Sequence, residues 1–170
     1  VKENNPQVTE TITTVEPAGA NLVAKQTFTY DKYLNRTNSY EYALGTGTAG
    51  ALIRRTNTSY VTTNTVGGTT YDYACDPATN CSSSAVLANV IHVRNLPKQI
   101  SVYDAAGVER ARTLNEFDNY ASDTNHAPLT HRSGISGLDS SFTTSYGPRG
   151  NVTGSSRYLL DTAGTITGSI

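Results

Sequence analysis

The chain has 170 residues, of which 16% are charged and 36% hydrophobic, with 13 Lys and Arg against 14 Asp and Glu. A formal net charge of -1 leaves no basic field for a nucleic-acid backbone and no polybasic patch for a membrane surface. No apolar run is long enough to span a bilayer, while the length suffices for a real core.

The rest of the composition favours strands and turns. There are 11 Tyr and 14 Gly, and Thr, Ser and Asn are abundant. Thr, Tyr and Val suit a pleated surface, whereas Gly, Asn and Asp suit turns. Apolar residues nowhere recur at helical spacing over several turns, so the expected fold class is all-β.

In chain order, Val1-Lys-Glu-Asn-Asn-Pro6 lacks the pattern of a secretion signal and the chain holds no Met, which predicts a piece of something longer. Thr14 to Val23 reads as a turn between strands, anchored at Glu16. Phe28-Thr-Tyr-Asp-Lys-Tyr-Leu-Asn-Arg36 reads as strand, turn, strand around Tyr30 and Asp31. Gly45-Thr-Gly-Thr-Ala-Gly50 lacks the Lys of a phosphate-binding loop and reads as a flexible connection. Further anchors follow at Tyr60, Tyr73, Tyr103, Phe117, Tyr146 and Leu160. They sort into two interleaved series, Glu16, Tyr60, Tyr103, Tyr146 and Tyr30, Tyr73, Phe117, Leu160. Each advances by roughly 43 residues, a period typical of repeat architectures, which predicts about four copies of a two-part unit. If so, Tyr60, Tyr103 and Tyr146 take equivalent places on one face of one sheet.

The turn chemistry is clearest in Val102-Tyr-Asp-Ala-Ala-Gly-Val108. Tyr103 ends a strand, Asp104 accepts hydrogen bonds from its own turn backbone, and Gly107 supplies a positive φ. Gly150 and Gly164 fit the same slot. Asn35 and Asn64 are expected to fill it elsewhere, since Asn tolerates that region. Cys75 and Cys81 bracket Asp76-Pro-Ala-Thr-Asn80, a turn short enough for the thiols to meet. A disulfide there predicts an oxidising compartment, against the alternative of two free cytosolic thiols. Two Cys with no His nearby are too few ligands for zinc.

The recurrent Tyr-Asp-x-x-Gly pattern resembles the YD repeats of the RHS (rearrangement hotspot) family. Tyr30 to Thr37, Val102 to Arg110, Glu116-Phe-Asp-Asn-Tyr120 and Asp161 to Thr167 carry the likeness. Tyr146-Gly-Pro-Arg-Gly-Asn-Val-Thr153 is a variant, with Gly147 where Asp is usual. The resemblance implies β-hairpins strung side by side into a long twisted sheet, in large secreted or surface proteins that build shells, walls or adhesive fibres. The Asp-Pro-x-Gly-Leu motif that precedes a self-cleaved toxin tip in the family's casings is not found here, so self-cleavage is not carried over.

Other chemistry is thin. His92 stands apart, while His126, His131 and Arg132 could hold an anion or a metal, against the reading of a polar rim loop. Asp31, Asp104, Asp118 and Asp161 could hold calcium, against the reading that each bonds its own turn. No Gly-x-Ser-x-Gly elbow, P-loop or Gly-x-Gly-x-x-Gly occurs. Asn35, Asn57, Asn80 and Asn151 sit in glycosylation sequons, which matter only in a source that modifies secreted proteins. The expectation is a non-enzymatic, extracellular or cell-surface structural segment with no cofactor. Its partners are flanking repeats or identical subunits met through the sheet edges. The alternative is a carbohydrate-binding adhesion surface, on which Tyr, Asn and Asp side chains meet sugars.

Overall fold

Strands dominate the structure, a computed structural model that describes residues 6–75, 89–131, 136, 137 and 139–170. In chain order they are β1 (Glu10–Val15), β2 (Leu22–Tyr30), β3 (Arg36–Thr46), β4 (Leu52–Tyr60), β5 (Thr63–Val66), β6 (Thr69–Asp72), β7 (Pro97–Asp104), β8 (Glu109–Phe117), β9 (Val152–Leu160) and β10 (Ile166–Ser169). Among the described residues helix is confined to short 3-10 turns at Pro17–Gly19 and Ser140–Phe142. Eight strands form one sheet in the order β1-β2-β3-β4-β7-β8-β9-β10, and β5 pairs with β6 separately. The fold class is all-β. Among the described residues no helix is long and apolar enough to cross a membrane.

The chain divides into two compact units. The first comprises Val1–Ser59, Gln99–Thr113 and Arg157–Ile170, the second Tyr60–Lys98 and Leu114–Ser156. In the first unit the antiparallel strands β1 to β4 are joined by polar pairs more than by burial. Lys25 lies opposite Ile12 and Tyr42. Its ammonium meets Glu10 at 2.5 Å and stands 5.6 Å above the Tyr42 ring. Tyr40 faces Arg55 across the β3–β4 ladder, and the Arg55 guanidinium stacks on Tyr103 at 4.4 Å. Asn57 donates to Asn38 (3.0 Å), which donates to Thr29 (2.9 Å). On the other face Glu41 pairs with Arg54 at 2.8 Å. Among the described residues, the buried ones in this unit are Val23, Phe28, Asn35, Ser101 and Glu109.

Three hairpins share one turn. After Tyr30, Tyr103 and Leu160 an Asp begins a four-residue turn, and the backbone N–H of Leu34, Gly107 or Gly164 donates to that Asp's carbonyl at 3.0–3.1 Å. The fourth residue has φ of 70°, 82° or 85° respectively. This is a type I turn followed by a left-handed residue, a geometry that matches the strand twist of a three-residue hairpin loop. The residue expected to carry the positive φ after Asp31 was Asn35; it is Leu34. Asn35 instead lies one place on and uses its side-chain amide to donate to Asp31 Oδ2 at 3.0 Å. Asn64 also lacks that role. It lies inside β5, and the β5–β6 turn uses Gly67 and Gly68, with φ of 57° and 82°, the left-handed pair of a type I′ turn.

The two tyrosine series do not map onto equivalent places. Tyr60 ends β4 and Tyr103 lies in β7, but Tyr146 lies in no strand. The reason is local. The Arg149 guanidinium takes the carbonyls of Tyr146 (2.8 Å), Phe142 (2.9 Å) and Thr143 (2.5 Å) and curls this stretch into a loop. The equivalent hairpins pair Tyr30 with Tyr103 and Leu160, across the two series. Gly45 to Gly50 is a tight return at the end of β3, where a Cβ on Gly45 would run into the Thr48 carbonyl. Gly45 and Gly50 serve close backbone approach, whereas Gly47 has open space around it and supplies a positive φ of 73°.

The second unit holds a small apolar core. Val61, Tyr73 and Phe117 are buried together, with Tyr71, Ile91, Val93 and Leu96 packed around them. Asp72 accepts from the N–H groups of Ala74 (2.9 Å) and Cys75 (2.8 Å), which turns the chain and drives Tyr73 inward. Cys75 is buried, with φ of 50°. Its expected partner Cys81 lies outside the described residues, as does the sequon at Asn80.

Candidate functional site

The hairpin aspartates are spent on their own turns. Asp31 Oδ1 accepts from the N–H groups of Tyr33 (2.8 Å) and Asn35 (2.9 Å). Asp104 Oδ1 accepts from Ala106 and Val108, both at 2.9 Å. Asp161 Oδ1 accepts from Ala163 (2.9 Å) and Thr165 (2.8 Å). Asp104 Oδ2 also meets the Arg110 guanidinium at 2.6 Å. The backbone N–H of Val108 and then Arg110 hold the Asp104 carboxyl below its ordinary range. Hydrogen bonds to the charged form have that effect.

Asp118 departs from this pattern. It follows β8, is 1% exposed and has φ of 55°. Its carboxylate serves residues remote in sequence. Oδ2 accepts the N–H groups of Arg149 (3.0 Å) and Gly150 (2.8 Å) and the Tyr73 hydroxyl. Oδ1 accepts the Asn151 N–H (2.9 Å) and the Tyr120 hydroxyl (2.7 Å). Three successive N–H groups around a left-handed glycine, Gly150 with φ of 74°, form an anion-binding nest. Here the chain's own carboxylate occupies it. Burial and the Asp118 bond push the Tyr73 hydroxyl up, and the same causes push Tyr120 up to about 12. Both phenols are therefore neutral donors at ordinary pH. The arrangement fixes two tyrosine rings and one loop.

Beside this hub, His126 is clamped between carboxylates. Nδ1 meets Asp123 Oδ1 at 2.8 Å and Nε2 meets Glu116 Oε2 at 2.8 Å. These hydrogen bonds, Asp123 first, raise the His126 pKa. With both ring nitrogens engaged, His126 does not join His131 in an anion or metal site. His131 is exposed, Arg132 lies outside the described residues, and His92 stands apart with its Nδ1 3.3 Å from Arg94. Among the described residues no group of three or more His, Cys, Asp or Glu is arranged to hold a metal.

The hub borders a cleft of about 690 Å³, lined by Tyr71, Tyr120 and Asn119 with Thr69, Thr144 and Leu129. A second cavity of about 730 Å³ shares Asn119, Tyr120, Pro128 and Leu129 with it. Sequence reasoning singled out Tyr73, Asp118 and Gly150 as repeat positions, and the structure brings these three together. It missed Tyr120, Arg149 and Asn151. One signal was available: three residues after Asp118 stands Ala121, not the glycine that marks the turns of Asp104 and Asp161. No family model matches the chain, and neither does any curated protein or solved structure.

Proposed function

We propose that the chain is an architectural β-sheet segment of a secreted or cell-surface protein of YD-repeat type, with no catalytic role. The observation that supports this most is the three hairpins built on one Asp-centred turn, with Asp31, Asp104 and Asp161 making the same bonds. Such a unit is a local device, and sheets made of it extend by adding hairpins. At the two ends of the strand order stand β1 and β10, each with one edge unpaired among the described residues. Unpaired edges template further strands, so the partners in this reading are flanking repeats or identical subunits. The Cys75–Cys81 disulfide belongs to the same reading through its oxidising compartment.

Sedimentation of the full chain over a wide concentration range tests it. Concentration-dependent association is expected, weakened by Thr11→Lys with Thr13→Lys on the exposed strand β1. A monomer at every concentration, with both edges open to exchange, refutes it. A second reading, adhesion to glycans, is favoured by a separate observation: among the described residues, the cleft beside Asp118 is lined by two tyrosines, an amide and hydroxyl side chains, with no Lys or Arg.

A further inference from the structure

We propose that the cleft between Tyr71 and Tyr120 binds a linear neutral oligosaccharide. The inference deepens the adhesive reading, rests on it, and is independent of the architectural one. A cavity of about 690 Å³ is of ligand-binding size. Its walls select against charge. The one carboxylic acid among its described residues, Asp118, has five donors on its two oxygens and nothing left for a cation. Among the described residues no Lys or Arg lines the cleft, so an anionic ligand would lose its hydration there without a counter-charge. Hydroxyls and an amide beside aromatic rings suit a ligand with apolar C–H faces and many hydroxyls.

The aromatic wall is set before any ligand arrives. The Tyr120 hydroxyl donates to Asp118 at 2.7 Å and accepts from Asn151 Nδ2 at 3.0 Å, so the ring is held at its far end. Tyr71 is held by packing against the Val61, Tyr73 and Phe117 core. Rigid aromatic platforms lower the ordering cost of binding. The tyrosines of the β2–β7 sheet face are less suited, since Lys25 covers the Tyr42 ring and Arg55 the Tyr103 ring. Asn119 and Tyr120 also line the second cavity, together with His126 and Arg149. His126 is engaged by Asp123 and Glu116 and the Arg149 guanidinium by three backbone carbonyls, so the path continues past the first cavity, which favours a chain over a single sugar.

The test is an amide-resolved NMR titration of the full chain with cellohexaose, maltohexaose and chitohexaose, and with heparin and polygalacturonate as anionic comparators. The expected result is saturable shifts at Thr69, Tyr71 and Asn119 to Ala121 with a neutral chain. Tyr71→Ala should weaken binding at least about tenfold. Because Tyr71 also touches the core, Thr144→Arg, at an exposed rim position, is a second arm that leaves the fold alone and should likewise weaken it. Shifts confined to the Tyr40 and Tyr42 rows overturn this site and leave the adhesive reading standing. No shifts anywhere at about 10 mM, a concentration that detects even millimolar affinity, overturn both. Tighter binding of an anionic polymer, or wild-type affinity in both variants, overturns the proposal.

Discussion

Replacing Asp118 by Asn should destabilise the second unit far more than its near-isosteric character implies. Asn tolerates the positive φ at this position, so the backbone is not the cause. Five donors converge on the carboxylate, and Asn offers them one oxygen and one NH2 group. In the least damaging orientation the NH2 group replaces Oδ1. The Tyr120 hydroxyl can turn and accept from it, but the Asn151 N–H cannot. A stranded buried N–H costs about 1–3 kcal/mol, and the bonds that remain lose their charge assistance. Together these predict a loss of about 3 kcal/mol, or a melting temperature lower by roughly 6–12 °C for a chain of this size. Urea unfolding followed by far-ultraviolet circular dichroism measures the loss. With 11 Tyr, 3 Phe and no Trp, the near-ultraviolet signal reports mainly the tyrosines, and should drop as Tyr73 and Tyr120 lose their anchor. Asp161→Asn, in an exposed turn, is the comparator and should change stability much less. If Asp118→Asn stays within about 0.5 kcal/mol of wild type, the ordinary range for surface changes, the hub is not holding the unit together.

Leu34→Gly should stabilise by about 0.5–1 kcal/mol, because Leu34 holds φ of 70° and is 49% exposed, so relieved strain outweighs lost packing; a lower urea midpoint at unchanged slope refutes it. Protection of the segment around His126 should peak in mildly acidic solution. The raised His126 pKa makes its contribution complete below its unfolded value of 6.5 and removes it as pH rises through the folded value. The lowered Glu116 and Asp123 values, each caused first by a side-chain hydrogen bond, remove theirs as pH falls through the folded values; linkage fixes both signs. Hydrogen exchange corrected for intrinsic rate checks this, and His126→Gln should flatten the profile. Thiol titration of denatured, unreduced protein should find no reactive Cys, and Cys75→Ser should cost little stability because the loop to Cys81 is short; two titratable thiols would remove the bridge and its compartment argument.

The strands and the turns at Asp31, Asp104 and Asp161 were legible because their causes are local: an Asp bonding its own N–H groups and a fourth residue tolerating or enduring positive φ. The turn at Asp31 was read one residue late. Asn35 is the better left-handed residue by propensity, but its amide is used on Asp31 Oδ2, and Leu34 takes the strain. The even period misled because an aromatic before a turn is common to several environments. Tyr146 looks like Tyr103 in sequence, yet its backbone answers to Arg149. Ala121, standing where the Asp104 and Asp161 turns have glycine, marked Asp118 as an odd turn but not as a hub, because Tyr73 and the N–H groups of Arg149 to Asn151 reach it from remote parts of the chain. The cleft was likewise beyond reach, since β6, the end of β8 and the loop at Thr144 meet only in the fold.

The polar ladders of the first unit carry a thermal consequence. Among its described hydrophobic residues only Val23 and Phe28 are buried, and cross-strand contacts such as Glu41 with Arg54 and Asn38 with Asn57 join hydrated groups. Unfolding such a sheet uncovers little apolar surface, which is the main positive source of the heat-capacity change. A small heat-capacity change flattens the stability curve. This sheet should therefore keep nearly the same free energy of unfolding over a wide temperature span, giving up a high maximum for insensitivity to heat and cold alike.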